Sequence, residues 1–476
     1  MFSLLTKTIA DKLDMIDSYM YYPVLIIVMA LAGIYFSLRT RFVQIRYFLE
    51  SIKVLSEKPE KSGSVSSFQA LMVSTASRVG TGNIIGVSTA ICLGGPGAVF
   101  WMWILSIIGG ASAFVESTLA QIYKKRNSDG TSYGGPAYYI EQALNNHLLA
   151  ALFAVFLIAT YAFGFNLLCS YNLQSTFIDY SFYNKSVTPW IIGGIIAILV
   201  GVCTAGGGKR IVKTAAVIVP FMGVFYLVIA LIVIAVNFKN VPNMFAEIFT
   251  DAFDFKSITS GIAGSCMVYG IKRGLYSNEA GVGSAPNAAA SADVSHPVKQ
   301  GLVQTLSVYI DTLLLCTATA FMCMSSGVAR NADIAGAPYV QSAVSSVFGI
   351  LGPIFISVAM ILFSFSTLIG NLYYTNNALA FLNKKKMPSP LFMTVYRIIC
   401  ALTIFVGAAL PMSICWNLAD ITMGLMTLIN LPCCVVLGGV AFKALRDYEL
   451  QKKNRLNPTF KYSKIGIDSK KLDFWK

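Results

Sequence analysis

Apolar stretches recur near 20–38, 68–93, 97–122, 149–178, 189–205, 212–237, 257–291, 298–325, 350–381, 392–410 and 413–442. Each reaches the roughly 20 residues that a helix needs to cross a bilayer. They predict an all-α integral membrane protein with one extra N-terminal helix, then five helices and five more. Five is odd, so the second set runs through the membrane in the opposite sense to the first, and the repeat is inverted. The first twenty residues mix acids and bases without a long apolar core. They predict an amphipathic helix on the membrane surface and no cleaved signal. The expected division is 1–60 for that helix, the first span and a basic linker, 61–240 and 241–445 for the two repeats, and 446–476 for a basic tail.

One phrase occurs in both halves. Arg78, Asn83, Gly86 and Val87 recur as Arg273, Asn278, Gly281 and Val282, all at an offset of 195 residues. At the same offset Glu116 falls on Asp311, Ser117 on Thr312, Ser112 on Ser307 and Phe114 on Tyr309. Gly80, Gly82 and Gly86 each weaken a helix by about 1 kcal/mol relative to alanine. Unwound backbone inside a membrane is tolerated only where protein, water or a ligand satisfies it. Paired interruptions in corresponding halves point to a transporter's binding site, with freed amides for a carboxylate and freed carbonyls for a small cation. Small residues that only let helices pack closely are the competing reading.

Composition agrees. Mean hydropathy is +0.66 with only 12% charged residues, which excludes a soluble multidomain protein. The ten cysteines are scattered through apolar runs, so they suggest neither a disulfide framework nor a zinc site. The net charge of +14 collects in short connections: Arg39, Arg41, Arg46, Lys53, Lys58 and Lys61; Lys124, Lys125 and Arg126; Lys209, Arg210 and Lys213; Lys384, Lys385 and Lys386; and the tail. That is a positive-inside pattern, not a nucleic-acid surface. It predicts an N-terminus outside, a cytoplasmic C-terminus, and an outer connection 238–256 bearing Glu247, Asp251 and Asp254.

The segments SVSSFQALMVSTASRVGTGNIIGVSTAICLGGPGAVFWMW (64–103), SYGGPAYYI (132–140), GIKRGLYSNEAGVGSAPNAAA (270–290) and HPVKQGLVQTLSVYIDTLLLCTATA (296–320) resemble the alanine-or-glycine:cation symporter family over about 60–460. The resemblance implies a leucine-transporter-type fold in a bacterial or archaeal plasma membrane. It implies sodium-driven uptake of a small neutral amino acid by a chain that works as a monomer, with no cofactor beyond the coupling ion Na+; a proton-coupled amino-acid carrier is the alternative. Substrate contacts are then expected at Arg78, Thr81, Gly82 and Asn83, and at a second break formed by Gly270, Ile271, Lys272 and Arg273. Sodium is expected at Ala76, Val79, Ser366 and Thr367.

Ser364, Thr367, Asn371 and Tyr374 form one stripe at helical spacing, expected to face a cavity or another helix. Asn371 departs from the tryptophan common in the family, which implies a larger, more polar pocket. Gln174 is the expected amide from the third core span. Arg78, Glu116, Lys272, Arg273, Glu279 and Asp311 lie within spans, where an unpaired charge costs at least about 2.5–3.5 kcal/mol. The repeat suggests Arg78 with Glu116 and Arg273 with Asp311. Solvation at the cytoplasmic surface is the alternative for Glu116 and Glu279. His147 and His296 fall in loops, which argues against a histidine proton relay. A channel lacks support from a duplication within one chain, and no nucleophile–base pair or metal constellation suggests an enzyme.

Overall fold

The computed structural model describes residues 2–59, 64–127, 130–254, 265–384 and 386–475. Lys61, Lys385 and the stretch 257–264 at the start of one predicted span lie outside them. Among the described residues nine helices are long and apolar enough to cross a membrane. We label the helices in chain order: α1 Lys7–Arg39, α2 Ser67–Arg78, α3 Gly82–Gly94, α4 Ala98–Ile122, α5 His147–Ser175, α6 Thr188–Ala205, α7 Gly207–Val236, α8 Val241–Ala252, α9 Cys266–Asn278, α10 Pro297–Ser325, α11 Ala337–Phe348, α12 Leu351–Leu382, α13 Pro390–Gly407 and α14 Met412–Lys453. The two predicted spans that are not continuous are 68–93, now α2 and α3, and 257–291, of which α9 and the short helix Pro286–Ala289 are described. Among the described residues the all-α expectation is modified by a small antiparallel hairpin, β1 Lys125–Arg126 with β2 Ser132–Tyr133, and a bridge between Val65 and Ala292.

The N-terminal helix joins the first span through a kink, where Tyr22 leaves helical geometry at φ −114° and ψ 119° just before Pro23. Asp17 is buried at 1% exposure against Lys272. A carboxylate reads as surface in a sequence, yet its partner sits 255 residues away.

At the centre α4 packs along both α9 and α10, while α7 and α12 flank α2. Glycines set these approaches. A Cβ on Gly370 of α12 would lie 2.7 Å from the Ser77 amide nitrogen, and one on Gly270 of α9 would lie 2.4 Å from the Ala98 carbonyl oxygen. Several contacts join positions 195 residues apart. Thr81 Oγ1 lies 3.2 Å from Tyr276 OH, Thr305 Oγ1 donates to the Gly110 carbonyl at 3.0 Å, and Cys169 Sγ donates to the Ser364 carbonyl at 3.5 Å.

One end of the bundle gathers the linker, the tail and several basic groups. α14, with 42 residues, is about 63 Å long at 1.5 Å per residue, roughly twice the hydrocarbon thickness of about 30 Å. Its far end carries Glu449, paired with Arg46 at 2.7 Å, and Lys452, paired with Glu50 at 2.7 Å. The tail then returns across the bundle. Trp475 Nε1 donates to the Gln121 carbonyl at 2.7 Å, and the Lys124 ammonium sits 3.9 Å from the Phe474 ring centre. His296 caps α10 on this same side, 3.4 Å from Asp447, and burial pushes the pKa of its ring down.

Gly370→Ala tests the packing. The added methyl meets backbone rather than a movable side chain, and overpacking of this kind costs about 1–3 kcal/mol. The thermal midpoint of the purified protein in detergent is expected to drop measurably; an unchanged midpoint would show that α12 and α2 are not this close.

Candidate functional site

α2 begins with a reciprocal cap, in which Ser66 Oγ accepts from the Gln69 amide and Gln69 Oε1 accepts from the Ser66 amide. It ends when Val79 turns extended, at φ −74° and ψ 91°. The orphaned Gly80 amide donates to Asn83 Oδ1 at 2.8 Å, so the first break is closed by a side chain three residues on. Asn83 is held in turn by Asp311, whose Oδ1 accepts from Asn83 Nδ2 at 2.7 Å, while Ser277 and Thr312 hydroxyls donate to Asp311 Oδ2 at 2.7 and 2.9 Å.

The second break is not where the sequence suggested. Gly270, Ile271, Lys272 and Arg273 lie inside α9, with their backbone in helical register. Gly270 serves close packing on α4 instead. The helix stops at Glu279, in the left-handed region at φ 51°, followed by Gly281 at φ 83° and Gly283 at φ 93°. There Glu116 Oε1 accepts from the Gly281 amide at 3.2 Å, and its Oε2 accepts from Asn430 Nδ2 at 2.8 Å.

Beside the first break, Ser77, Arg78, Gly80, Thr81, Gly82, Phe165, Tyr276 and Thr367 line a crevice too tight in this conformation to admit a water molecule. A side chain at Gly82 has no room, since its Cβ would lie 2.9 Å from the Tyr276 ring. Of the residues expected to bind substrate, Arg78, Thr81 and Gly82 line this space and Asn83 caps it from behind. Gln174 does not reach it, because its Oε1 accepts from Tyr183 OH at 2.8 Å. The third-span residue at the break is Asn172, whose Nδ2 donates to Thr81 Oγ1 at 3.1 Å.

The polar stripe of α12 faces α2. Thr367 Oγ1 donates to the Ser77 carbonyl at 3.4 Å, Asn371 Oδ1 lies 2.9 Å from Ser77 Oγ, and Tyr374 OH donates to the Ser74 carbonyl at 3.4 Å. Asn371 is fully buried and stands outside the lining of the space, its Nδ2 donating to Asn166 Oδ1 at 3.0 Å. Among the expected sodium ligands, Thr367 projects at the break, where a Cβ on Gly80 would lie 1.9 Å from its Oγ1. Ala76 and Val79 flank the end of α2. Ser366 is turned away, donating to the Phe363 carbonyl at 2.9 Å with Met222 Sδ at 3.5 Å.

The charges pair differently from the repeat's suggestion. Arg273 Nη2 meets Asp420 Oδ2 at 2.8 Å, not Asp311, and its guanidinium lies 3.7 Å from the Trp416 ring centre. Arg78 reaches Gln304 rather than Glu116, at 3.4 Å to Oε1, and its Nε and Nη2 have no hydrogen-bond partner among the described residues. Solvation of Glu116 and Glu279 is overturned, for both are completely buried. Asp420 was legible as a charge inside the apolar run 413–442, the same signal that flagged the others. Asn172 and Ser77 carried no such mark.

The family model described as "Sodium:alanine symporter family" matches residues 6–462. The chain belongs to that family. It is 42% identical over 462 residues to the probable sodium/glutamine symporter GlnT of Bacillus subtilis, covering 96% of this chain and 94% of the relative. It is 38% identical over 440 residues to the sodium/proton-dependent alanine carrier protein of Bacillus sp. strain PS3, covering 89% and 97%. The fold is similar to that of MhsT, solved in complex with L-phenylalanine, with a TM-score of 0.54, 13% identity, and coverage of 86% of this chain and 95% of that one. This family member is a multi-pass membrane transport protein.

Asp420→Ala leaves Arg273 charged and unpaired in the interior. Breaking a buried pair from one side costs about 3–5 kcal/mol, so a large fall in thermal midpoint is expected in detergent. The double variant Arg273→Met with Asp420→Leu is expected to recover most of it. Equal losses in both variants would show that the pair is not coupled.

Proposed function

We propose that this protein is a sodium-coupled symporter that imports a small neutral amino acid, of the alanine, glycine, serine or glutamine class, by alternating access between two inverted five-helix halves. Sodium-coupled amino-acid symport is supported by the family and by the relatives' names. The observation that carries the finer reading is reciprocal. Asp311, from the second half, holds the cap of the first break, and Glu116, from the first half, caps the second. Residues 195 apart touch one another at three places. Self-matched contacts of this kind arise along a two-fold axis relating equivalent parts. A carrier whose halves rock about a central site places its broken helices there.

In this reading the substrate carboxylate meets the Thr81 and Gly82 amides and the Arg78 guanidinium. Asn172 replaces Gln174 as the amide of α5, its Oδ1 lacking a partner among the described residues and so able to accept from an ammonium or a polar side chain. Sodium sits between the Ala76 and Val79 carbonyls and Thr367 Oγ1, with Ser366 joining after a rotamer change. Oxygen ligands of this kind suit a hard cation. The bundle end that gathers Arg46, Lys124 and Lys299 is cytoplasmic, following the positive-inside rule, and the end bearing Glu247 and Asp251 is outside.

Uptake of labelled alanine into proteoliposomes, with and without sodium and with the twenty amino acids as competitors, tests the activity and ranks its substrates. Thr367→Ala is expected to raise the half-saturating sodium concentration by about tenfold, equivalent to about 1.4 kcal/mol. Undiminished sodium dependence in that variant would refute the placement.

A further inference from the structure

A chain of hydrogen bonds between α5, α12, α2 and the second break fixes where its protons are. It starts at the Ala162 carbonyl, which can only accept. Asn166 Nδ2 donates to it at 3.1 Å, so Asn166 presents its oxygen to Asn371. That oxygen accepts from Asn371 Nδ2 at 3.0 Å, so Asn371 presents its own oxygen to Ser77. Ser77 Oγ lies 2.9 Å from Asn371 Oδ1 and also 2.9 Å from Glu279 Oε1. A hydroxyl has one proton. Ser77 spends it on Asn371, whose oxygen cannot donate. The contact with Glu279 then lacks a proton unless the carboxyl supplies it. At the other carboxyl oxygen, Ser284 Oγ donates to Oε2 at 2.6 Å.

The surroundings agree with a neutral carboxyl. Glu279 is completely buried, as are Glu116 and Asp311. The charged and titratable groups facing it are Arg78 from α2, Tyr161 from α5 and Tyr374 from α12, with Glu116 of α4 sharing the field of Arg78. One guanidinium therefore serves three buried carboxyls, and leaving all three ionised would bury an excess of negative charge.

We propose that Glu279 is a proton-binding site of the transport cycle, protonated on Oε1 in this conformation and donating to Ser77 Oγ, and that it releases this proton when the second break opens to water. This rests on the symporter reading above. On release the proton passes from Oε1 to water. The carboxylate then claims the Ser77 proton, Asn371 Oδ1 is left without a donor, and the link between α2 and α12 beside the first break is undone. A buried acceptor stranded in this way is unfavourable, so protonation of Glu279 favours the packing seen here. Protons and the arrangement of the two breaks are thereby linked through one residue.

Two measurements test this. Infrared spectra of the protein in proteoliposomes, recorded against pH, are expected to show a protonated-carboxyl C=O band that Glu279→Gln removes. Sodium-driven uptake of labelled alanine by the wild type is expected to fall about tenfold per pH unit above the titration of that group. Glu279→Gln, whose amide donates to Ser77 as the acid does, is expected to lose this dependence. A pH profile in the variant that matches the wild type, or no band assignable to Glu279, overturns the proposal. Should Glu279→Gln fail to insert, Ser77→Ala must shift the same band, and an unmoved band also overturns it. Absence of sodium-driven uptake in the wild type at every pH would sink the symporter reading instead, while the infrared result stands on its own.

Discussion

Backbone that leaves helical geometry inside a membrane must find partners for its amides and carbonyls, because the hydrocarbon offers none. Among the described residues, the stretches after Arg78 and after Asn278 do so, and both are closed by side chains rather than by more backbone. Asn83 takes the Gly80 amide, and Glu116 takes the Gly281 amide. Each device is anchored across the molecule: Asn83 by Asp311 of α10, and Glu116 by Asn430 of α14. The position of α4 against α9 and α10 follows, since α4 carries Glu116 to the break after α9 and α10 carries Asp311. So does the burial of three acids that isolated helices would expel.

The same requirement explains why the central space is narrow and polar at one wall. Thr81 is held between Tyr276 and Asn172, and glycine is required at position 82 because the Tyr276 ring occupies the space of a side chain. What remains undersupplied is the guanidinium of Arg78, with two nitrogens lacking partners among the described residues. In the proposed reading those nitrogens are the ones left for a substrate carboxylate.

Much of this architecture was legible in the sequence, for a physical reason. Apolar runs of bilayer length have few alternative fates, so the order of spans could be read directly. The first break was legible too, because three glycines fall within seven residues of an apolar run and the phrase recurs in the other half. The second was misplaced because Gly270 weakens a helix as much as any glycine, and only the absence of room for a Cβ against the Ala98 carbonyl reveals a packing role. The true stop, Glu279 followed by Gly281 and Gly283, was hidden by an acid in a left-handed cap. Charge pairing was the least legible feature. The repeat shows which positions are equivalent, but the partners of Lys272 and Arg273 come from the chain's two extremities.

Those extremities bear on how the protein is made. Lys272 and Arg273 are neighbours, but one partner lies 255 residues earlier and the other 147 residues later. Synthesis proceeds from the N-terminus, so when α9 leaves the ribosome Asp17 already exists and Asp420 does not. One cation can be neutralised on arrival; the other faces a penalty of about 2.5–3.5 kcal/mol at the membrane centre until α14 follows. α9 therefore settles only provisionally, held beside water or the insertion machinery, and the last long helix to be translated completes a site whose other walls were laid down first.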